Sequence, residues 1–232
     1  YYDPATHGVK FDAMMAALKS MPARSVVVLH ACCHNPTGVD LDAAQWDAVV
    51  AAVRERDLVA FLDMAYQGFG EGIEADALAL RKFADSGLDF FVSSSFSKSF
   101  SLYGERVGAL SIVTADRNET ARVISQVKRV IRTSYSNPPT HGAAIVAAVL
   151  STPALRQLWE SELAGMRERI RAMREALVRK LRENGVTADF SFVTRQRGMF
   201  SYSGLNPAQV ERLRDEFGIY AVATGRICLA AL

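Results

Sequence analysis

The sequence predicts an α/β fold: a mostly parallel sheet sandwiched by helices, followed by a smaller α+β C-terminal unit. Three observations carry this expectation. Apolar runs of strand length, "SVVVLHACC" at 25–33, "LVAFLD" at 58–63 and "LDFFVSS" at 88–94, recur at about the 30-residue spacing of a βαβ unit. Helical segments lie between them, and alternating strand and helix gives a parallel sheet with helices on both faces. Beyond Pro153 the pattern changes to one long helix and then to strand, strand, helix, strand.

Each element has its own reason. The continuous run at 25–33 is what a strand buried on both faces requires. Asp42 with Gln45 three residues later reads as a capping box, after which Trp46, Val49, Val50 and Val53 share one helical face. The run at 58–63 is a second buried strand, a helix is expected at 75–84, and strands follow at 88–94 and 108–113. After Pro153, Met166, Ile170, Met173, Leu177 and Leu181 repeat every three or four residues until Asn184-Gly185 closes the helix. Its arginines alternate with Glu160, Glu162, Glu168, Glu175 and Glu183, which reads as a solvated face of mixed-sign pairs. "FSFVT" at 190–194 and "GMFSYSGL" at 198–205 read as strands, Asn206-Pro207 opens a helix that Gly218 closes, and "IYAVA" at 219–223 is the last expected strand. The expected organisation is a large unit over 1–152, a connecting helix over 153–185 and a small unit over 186–232. The abrupt opening "YYDPATHG" and the apolar close "RICLAAL" read as an internal piece of a longer protein.

Half of the 232 residues are hydrophobic, enough for a sizeable core, and 27 basic against 25 acidic residues leave a net charge of +2. That balance gives no support for a nucleic-acid or membrane-surface role, so a small molecule is the expected partner. Three cysteines, two of them adjacent, make no disulfide framework, and the N-terminus does not read as a signal peptide. A reducing, cytoplasmic setting is expected. No apolar run approaches the ~20 residues of a membrane span.

The chemistry centres on "SSSFSKSFSLYGERVG" at 93–108, where an apolar strand ends on serines and Lys98. A lysine amine at such a place can form a Schiff base with a carbonyl, and pyridoxal phosphate is the commonest partner for that chemistry. It needs a carboxylate for its ring nitrogen, donors for its phenolate and phosphate, and a cation for the substrate carboxylate. Asp63, ending "VAFLD", is a carboxylate whose depth demands a cationic partner. Tyr66 or Asn35 can donate to the phenolate, and Ser95 and Arg106 can supply hydroxyl and guanidinium donors for the phosphate. "HACCH" at 30–34 invites a metal reading, but adjacent cysteines on a strand face opposite ways, so core packing is expected and no metal.

"HNPTG", "LDMAYQGFG", "SSSFSKSFSLYGERVG", "SNPP" and "GRICLAAL", in this order, resemble the class I aminotransferases of fold type I, in the aspartate and aromatic amino acid branch. The resemblance implies that Lys98 holds pyridoxal 5'-phosphate covalently and is the catalytic residue. It further implies that Asp63 pairs with the ring nitrogen, that Asn35 and Tyr66 bond the phenolate, and that Ser95 and Arg106 bind the phosphate. Arg226 matches the clamp on the substrate α-carboxylate, with Asn35 and Phe200 close to the substrate. Arg132 matches the arginine that reaches a distal carboxylate from the neighbouring subunit, which implies a homodimer acting on an amino acid and a 2-oxo acid. The family also places a phosphate-cradling loop, a ring-stacking aromatic and a cross-subunit tyrosine before the point where this sequence begins. A sensory domain of a transcription regulator, binding the cofactor without turnover, is the alternative.

Overall fold

The computed structural model describes residues 1–232. The strands β1 (Tyr2–Asp3) and β2 (Gly8–Val9) pair antiparallel and lead into helix α1 (Phe11–Ser20). The central sheet follows, with strands β3 (Val26–His30), β4 (Val59–Met64), β5 (Phe90–Ser95) and β6 (Gly108–Val113) side by side in chain order. The first three run parallel and β6 is antiparallel to β5, so the sheet is mostly parallel, as the sequence predicts. Between β3 and β4 lies α2 (Ala43–Glu55), opened by a full capping box in which the Asp42 carboxylate accepts from the Gln45 amide and Gln45 returns the bond. That satisfies two of the amides a helix start leaves unpaired.

The helix expected at 75–84 is broken into α3 (Ile73–Asp76) and α4 (Leu78–Ser86). Asp76 causes the break: its buried carboxylate turns inward and accepts from the amides of Gly68, Gly70 and Glu71.

Strand parity explains what the sheet does. Val27 and Leu29 of β3, Ala60 and Leu62 of β4, and Phe90 and Val92 of β5 face one way, onto Leu18 of α1, Trp46, Val49 and Val53 of α2, and Phe83 of α4. The alternate residues face the other way. Within these 232 residues Val26 and Val28 are 61% and 63% exposed on that face, while α1, α2 and α4 all contribute to the core beneath the opposite one. The uncovered row ends at the carboxyl end of the sheet in His30, Asp63 and Ser93, which are register neighbours across three strands.

After the sheet come α5 (Arg117–Ser134), α6 (His141–Ser151) and the long α7 (Pro153–Glu183). Pro153 starts α7 without penalty, since its missing N–H would be unpaired at that position. Leu163 and Ile170 bury its inner face, but Met166 is left exposed. The solvated reading of its arginines fails at Arg174, which is 3% exposed. Its guanidinium donates to the carbonyls of Val193, Gly198 and Phe200 and to the Ser201 hydroxyl, so the polar cost of burial is met by four acceptors.

Two of the late strand expectations are corrected. Residues 190–194 form a turn leading into a short helix, α8 (Phe192–Arg195), because Asp189 accepts from the Ser191 amide and hydroxyl, a local bond that favours a turn over a ladder. Consecutive Phe192 and Val193 are both buried, which a strand lying on one core would not allow. Residues 219–223 make no ladder, and Tyr220 is 82% exposed. The strand β7 (Phe200–Tyr202) takes its partner further on instead, as β8 (Arg226–Cys228), with α9 (Pro207–Phe217) between them. The capping box of Asn206 with Gln209 and the left-handed Gly218 bound α9 where the sequence puts them. No helix is long and apolar enough to cross a membrane.

Candidate active site

The site sits beyond the carboxyl ends of β3, β4 and β5, where open α/β sheets bind ligands. The loop after β3 is shaped by Asp40, whose carboxylate accepts from the amides of Cys33 and His34. That bend delivers Asn35, whose amide nitrogen donates to the His30 ring at 3.1 Å. Gly38 in the same loop has φ +70°, and a Cβ there would stand 2.6 Å from the Phe200 carbonyl oxygen. Gly198 is as constrained, with φ +77° and a Cβ position 2.6 Å from that of Cys33. Close approach at these two glycines locks the loop of Asn35 against the loop of Phe200.

Through that contact a chain of polar groups forms. Arg226 donates to the Asn35 side-chain oxygen Oδ1 at 3.2 Å, and the Asn35 side-chain nitrogen donates to the Tyr66 hydroxyl at 3.1 Å. A guanidinium can only donate, which fixes the amide orientation and leaves the Tyr66 O–H hydrogen free to donate elsewhere. Burial raises the Tyr66 pKa, although the Asn35 bond and Arg226 oppose it, so the phenol stays protonated at neutral pH. The Arg226 guanidinium also lies 4.7 Å over the Phe200 ring, and Phe200 packs edge-on against Tyr66.

Lys98 arrives from the turn after β5, its Nζ 4.6 Å above the Tyr66 ring and 5.9 Å from that of Tyr103. It has no carboxylate partner and lines a cavity of about 390 Å³ with Phe69, Tyr103 and Met199. Asp63 lies at the end of β4 on the uncovered face, its side chain 35% exposed. It accepts from the Ser93 hydroxyl at 3.3 Å and stands 3.9 Å from the His30 ring, with neither lysine nor arginine against it. Arg106 donates to the Tyr103 carbonyl and stacks on its ring, while the Ser95 hydroxyl accepts from the Ser97 amide.

Asn35, Tyr66, Lys98, Phe200 and Arg226 are thus brought together, with Asp63 one strand end away. Ser95 and Arg106 flank Lys98 without touching each other. Arg132 stands apart at the end of α5, exposed and bonded to Ser136. His30, Ser93, Tyr103 and Arg174 were not singled out from the sequence. Period-two alternation from Val28 marks His30 as facing Asp63's side, but only the register makes the two neighbours.

Arg226 and Phe200 also line a larger apolar cavity of about 1000 Å³ walled by α7, α9 and 219–223. It holds no lysine and no carboxylate side chain, so the reactive groups concentrate at Lys98. Cys32, Cys33 and Asp76 bring two sulfurs and a carboxylate oxygen within 4.8 Å of one another. Three amides already point at that carboxylate, which suits its negative charge without a cation.

A solved aromatic-amino-acid aminotransferase from Burkholderia pseudomallei, covalently bound to pyridoxal phosphate, is 68% identical with a TM-score of 0.99 over all of this chain and 58% of its own. The aspartate aminotransferase of Pseudomonas aeruginosa is 67% identical and the aromatic-amino-acid aminotransferase of Escherichia coli 54% identical, each over the whole chain. The chain spans 58% of the length of both. With the model of aminotransferase class I and II matching residues 1–232, the chain belongs to that family.

Proposed function

We propose that the protein of which these residues form part is a pyridoxal phosphate-dependent aminotransferase. It moves the amino group between an aromatic or dicarboxylic L-amino acid and a 2-oxo acid in a ping-pong cycle. The carrying observation is the Arg226–Asn35–Tyr66 chain lying under an unpaired Lys98 amine. The donor set fits the cofactor: a free amine, a carboxylate with no lysine or arginine against it, a protonated phenol with its hydrogen unspent, and the Ser95 hydroxyl and Arg106 guanidinium on either side of Lys98 in the chain.

When bound, pyridoxal phosphate supplies an aldehyde that condenses with amines and a protonated ring that accepts the electrons of a breaking Cα–H bond. Lys98 Nζ would hold that aldehyde and, as a free amine, would take up the substrate Cα proton. Asp63 would face the ring nitrogen and favour its protonated form. Tyr66 and Asn35 donate to the phenolate, and Ser95 and Arg106 hold the phosphate. Arg226, oriented by Asn35 and Phe200, clamps the α-carboxylate as a bidentate fork. Arg132 serves a distal carboxylate across a homodimer, in keeping with its separation from the rest of the site.

The organisation into units 1–152, 153–185 and 186–232 and a cytoplasmic setting belong to the same reading. The relatives named above are enzymes, which favours turnover over a sensory role. In the full-length protein Lys98→Ala is expected to bind cofactor and amino acid yet transaminate at a negligible rate. Near-normal turnover in that variant overturns the proposal.

A further inference from the structure

Helix α7 grips the site at regular intervals. Trp159, Leu163 and Arg167 follow one another at four-residue spacing, so they form one stripe along the helix. At the first position the Trp159 indole N–H donates to the Ser99 carbonyl at 2.6 Å, and the indole ring stacks on Phe100 at 4.5 Å. Phe100 in turn packs edge-on against Phe96. Ser99 and Phe100 directly follow Lys98 in the chain, so the indole holds the turn that carries the amine.

At the second and third positions the same stripe holds the loop after Tyr66. Gly68 has φ +95°, and a Cβ there would stand 2.4 Å from Leu163 Cδ2, so Leu163 packs directly onto the loop's backbone. Arg167 donates to the Gly68 carbonyl at 3.0 Å. Tyr66, Phe69 and Leu163 belong to one buried cluster. Lys98 and Tyr66 arrive from the ends of β5 and β4, whose pairing stops at Met64 and Ser94. Past that point both segments are fastened to one rigid helix.

We infer that α7 sets the gap between the Lys98 amine and Tyr66, with Trp159 as the positioning residue for the Lys98 turn and Leu163 and Arg167 as those for the Tyr66 loop. The inference rests on the reading of Lys98 as the amine that holds the cofactor. None of the three lines the Lys98 cavity, so each acts through the segment it fastens. An amine that must hold an aldehyde and then take up a proton depends on its place, because a misplacement of about 1 Å can cost on the order of a hundredfold in rate.

The test uses the full-length, pyridoxal phosphate-loaded protein carrying Trp159→Phe or Arg167→Met. Phenylalanine keeps a ring against Phe100 and removes the indole donor; methionine keeps an apolar stem and removes the donor to Gly68. In each variant the pH at which the visible absorbance of the lysine-bound cofactor titrates is expected to move by about 0.5 unit or more, the size of one net hydrogen bond. The kcat for aspartate is expected to fall about three- to tenfold with KM nearly unchanged, because the Arg226 clamp lies outside the stripe. A merely structural role would lower the melting temperature and leave the titration in place. An unmoved titration in Trp159→Phe overturns the assignment for Lys98, and an unmoved one in Arg167→Met overturns that for Tyr66. Borohydride reduction of the wild type separates this inference from the reading beneath it. An adduct on Lys98 beside unmoved titrations overturns the inference alone, whereas a wild-type adduct on another lysine overturns both.

Discussion

Asn35 works as a coupler between two residues with different tasks. Its side-chain oxygen faces Arg226 and its nitrogen faces Tyr66, so one amide orients both the proposed carboxylate clamp and the proposed phenol donor. On the proposed function, replacing Arg226 by leucine removes a charge-assisted pair with the substrate α-carboxylate, an expected loss of ~1.5–3 kcal/mol or about ten- to a hundredfold in kcat/KM for aspartate and phenylalanine alike. Arg132→Leu is expected to cost a similar factor for aspartate and little for phenylalanine, because only aspartate carries a distal carboxylate. Steady-state kinetics of both full-length variants with both substrates check this, and an equal loss on both substrates in Arg132→Leu contradicts it. Gly38→Ala is expected to lower kcat/KM as well, since a methyl group 2.6 Å from the Phe200 carbonyl must push the two site loops apart. At this scale the sequence suggests a role where one residue meets one chemical need, as with the roles proposed for Lys98, Asp63 and Arg226. It was silent on His30, Ser93 and Tyr103, which matter only through strand register and a turn.

The element that ties the late part of the chain together is α7, and its key residue is the one that broke the sequence rule. Arg174 gathers the 193–201 segment, bonding the carbonyls of Val193, Gly198 and Phe200 and the Ser201 hydroxyl. Burial lowers its pKa to about 10, so it remains charged at neutral pH. Arg174→Met is expected to leave those acceptors unpaired and cost ~2–5 kcal/mol, read as a lower urea midpoint, with faster amide exchange over 196–203. Lysine at 174 should recover only part, because a point charge cannot span four acceptors as the fork does. A stability change under about 0.5 kcal/mol in Arg174→Met would show the network to be incidental. Periodicity marked α7 itself from Pro153 to Asn184, since a helix face is a local property. Whether an arginine on that face meets water or a neighbouring loop is a tertiary matter, and the same limit explains the misread segments at 190–194 and 219–223. A local Asp189 turn and the pairing of β7 with β8 overrode their strand-like composition.

Over the whole molecule the fold class was legible because apolar runs, caps and spacing agree with one another, and five motifs in order carried the family. The packing also sets an acid limit. His34 is stacked on Tyr1 and bonded to Thr37, and burial, reinforced by His30, lowers its pKa from 6.5 to about 4. Because the folded value lies below the unfolded one, protonation favours unfolding; this contribution is complete above pH 6.5 and lost as pH falls towards 4. Asp40, raised by burial, contributes with the opposite sign. The difference in melting temperature between wild type and His34→Gln therefore isolates His34, and it is expected to shrink across that window; a constant difference contradicts the assignment. The central claim, that Lys98 is the amine that holds the cofactor, is met most directly by reducing the full-length, pyridoxal phosphate-loaded protein with borohydride and mapping the trapped adduct by peptide mass spectrometry. The account predicts the pyridoxyl group on the peptide containing Lys98 and its loss in Lys98→Ala. A stable adduct on another lysine, or none in protein that transaminates, would contradict it.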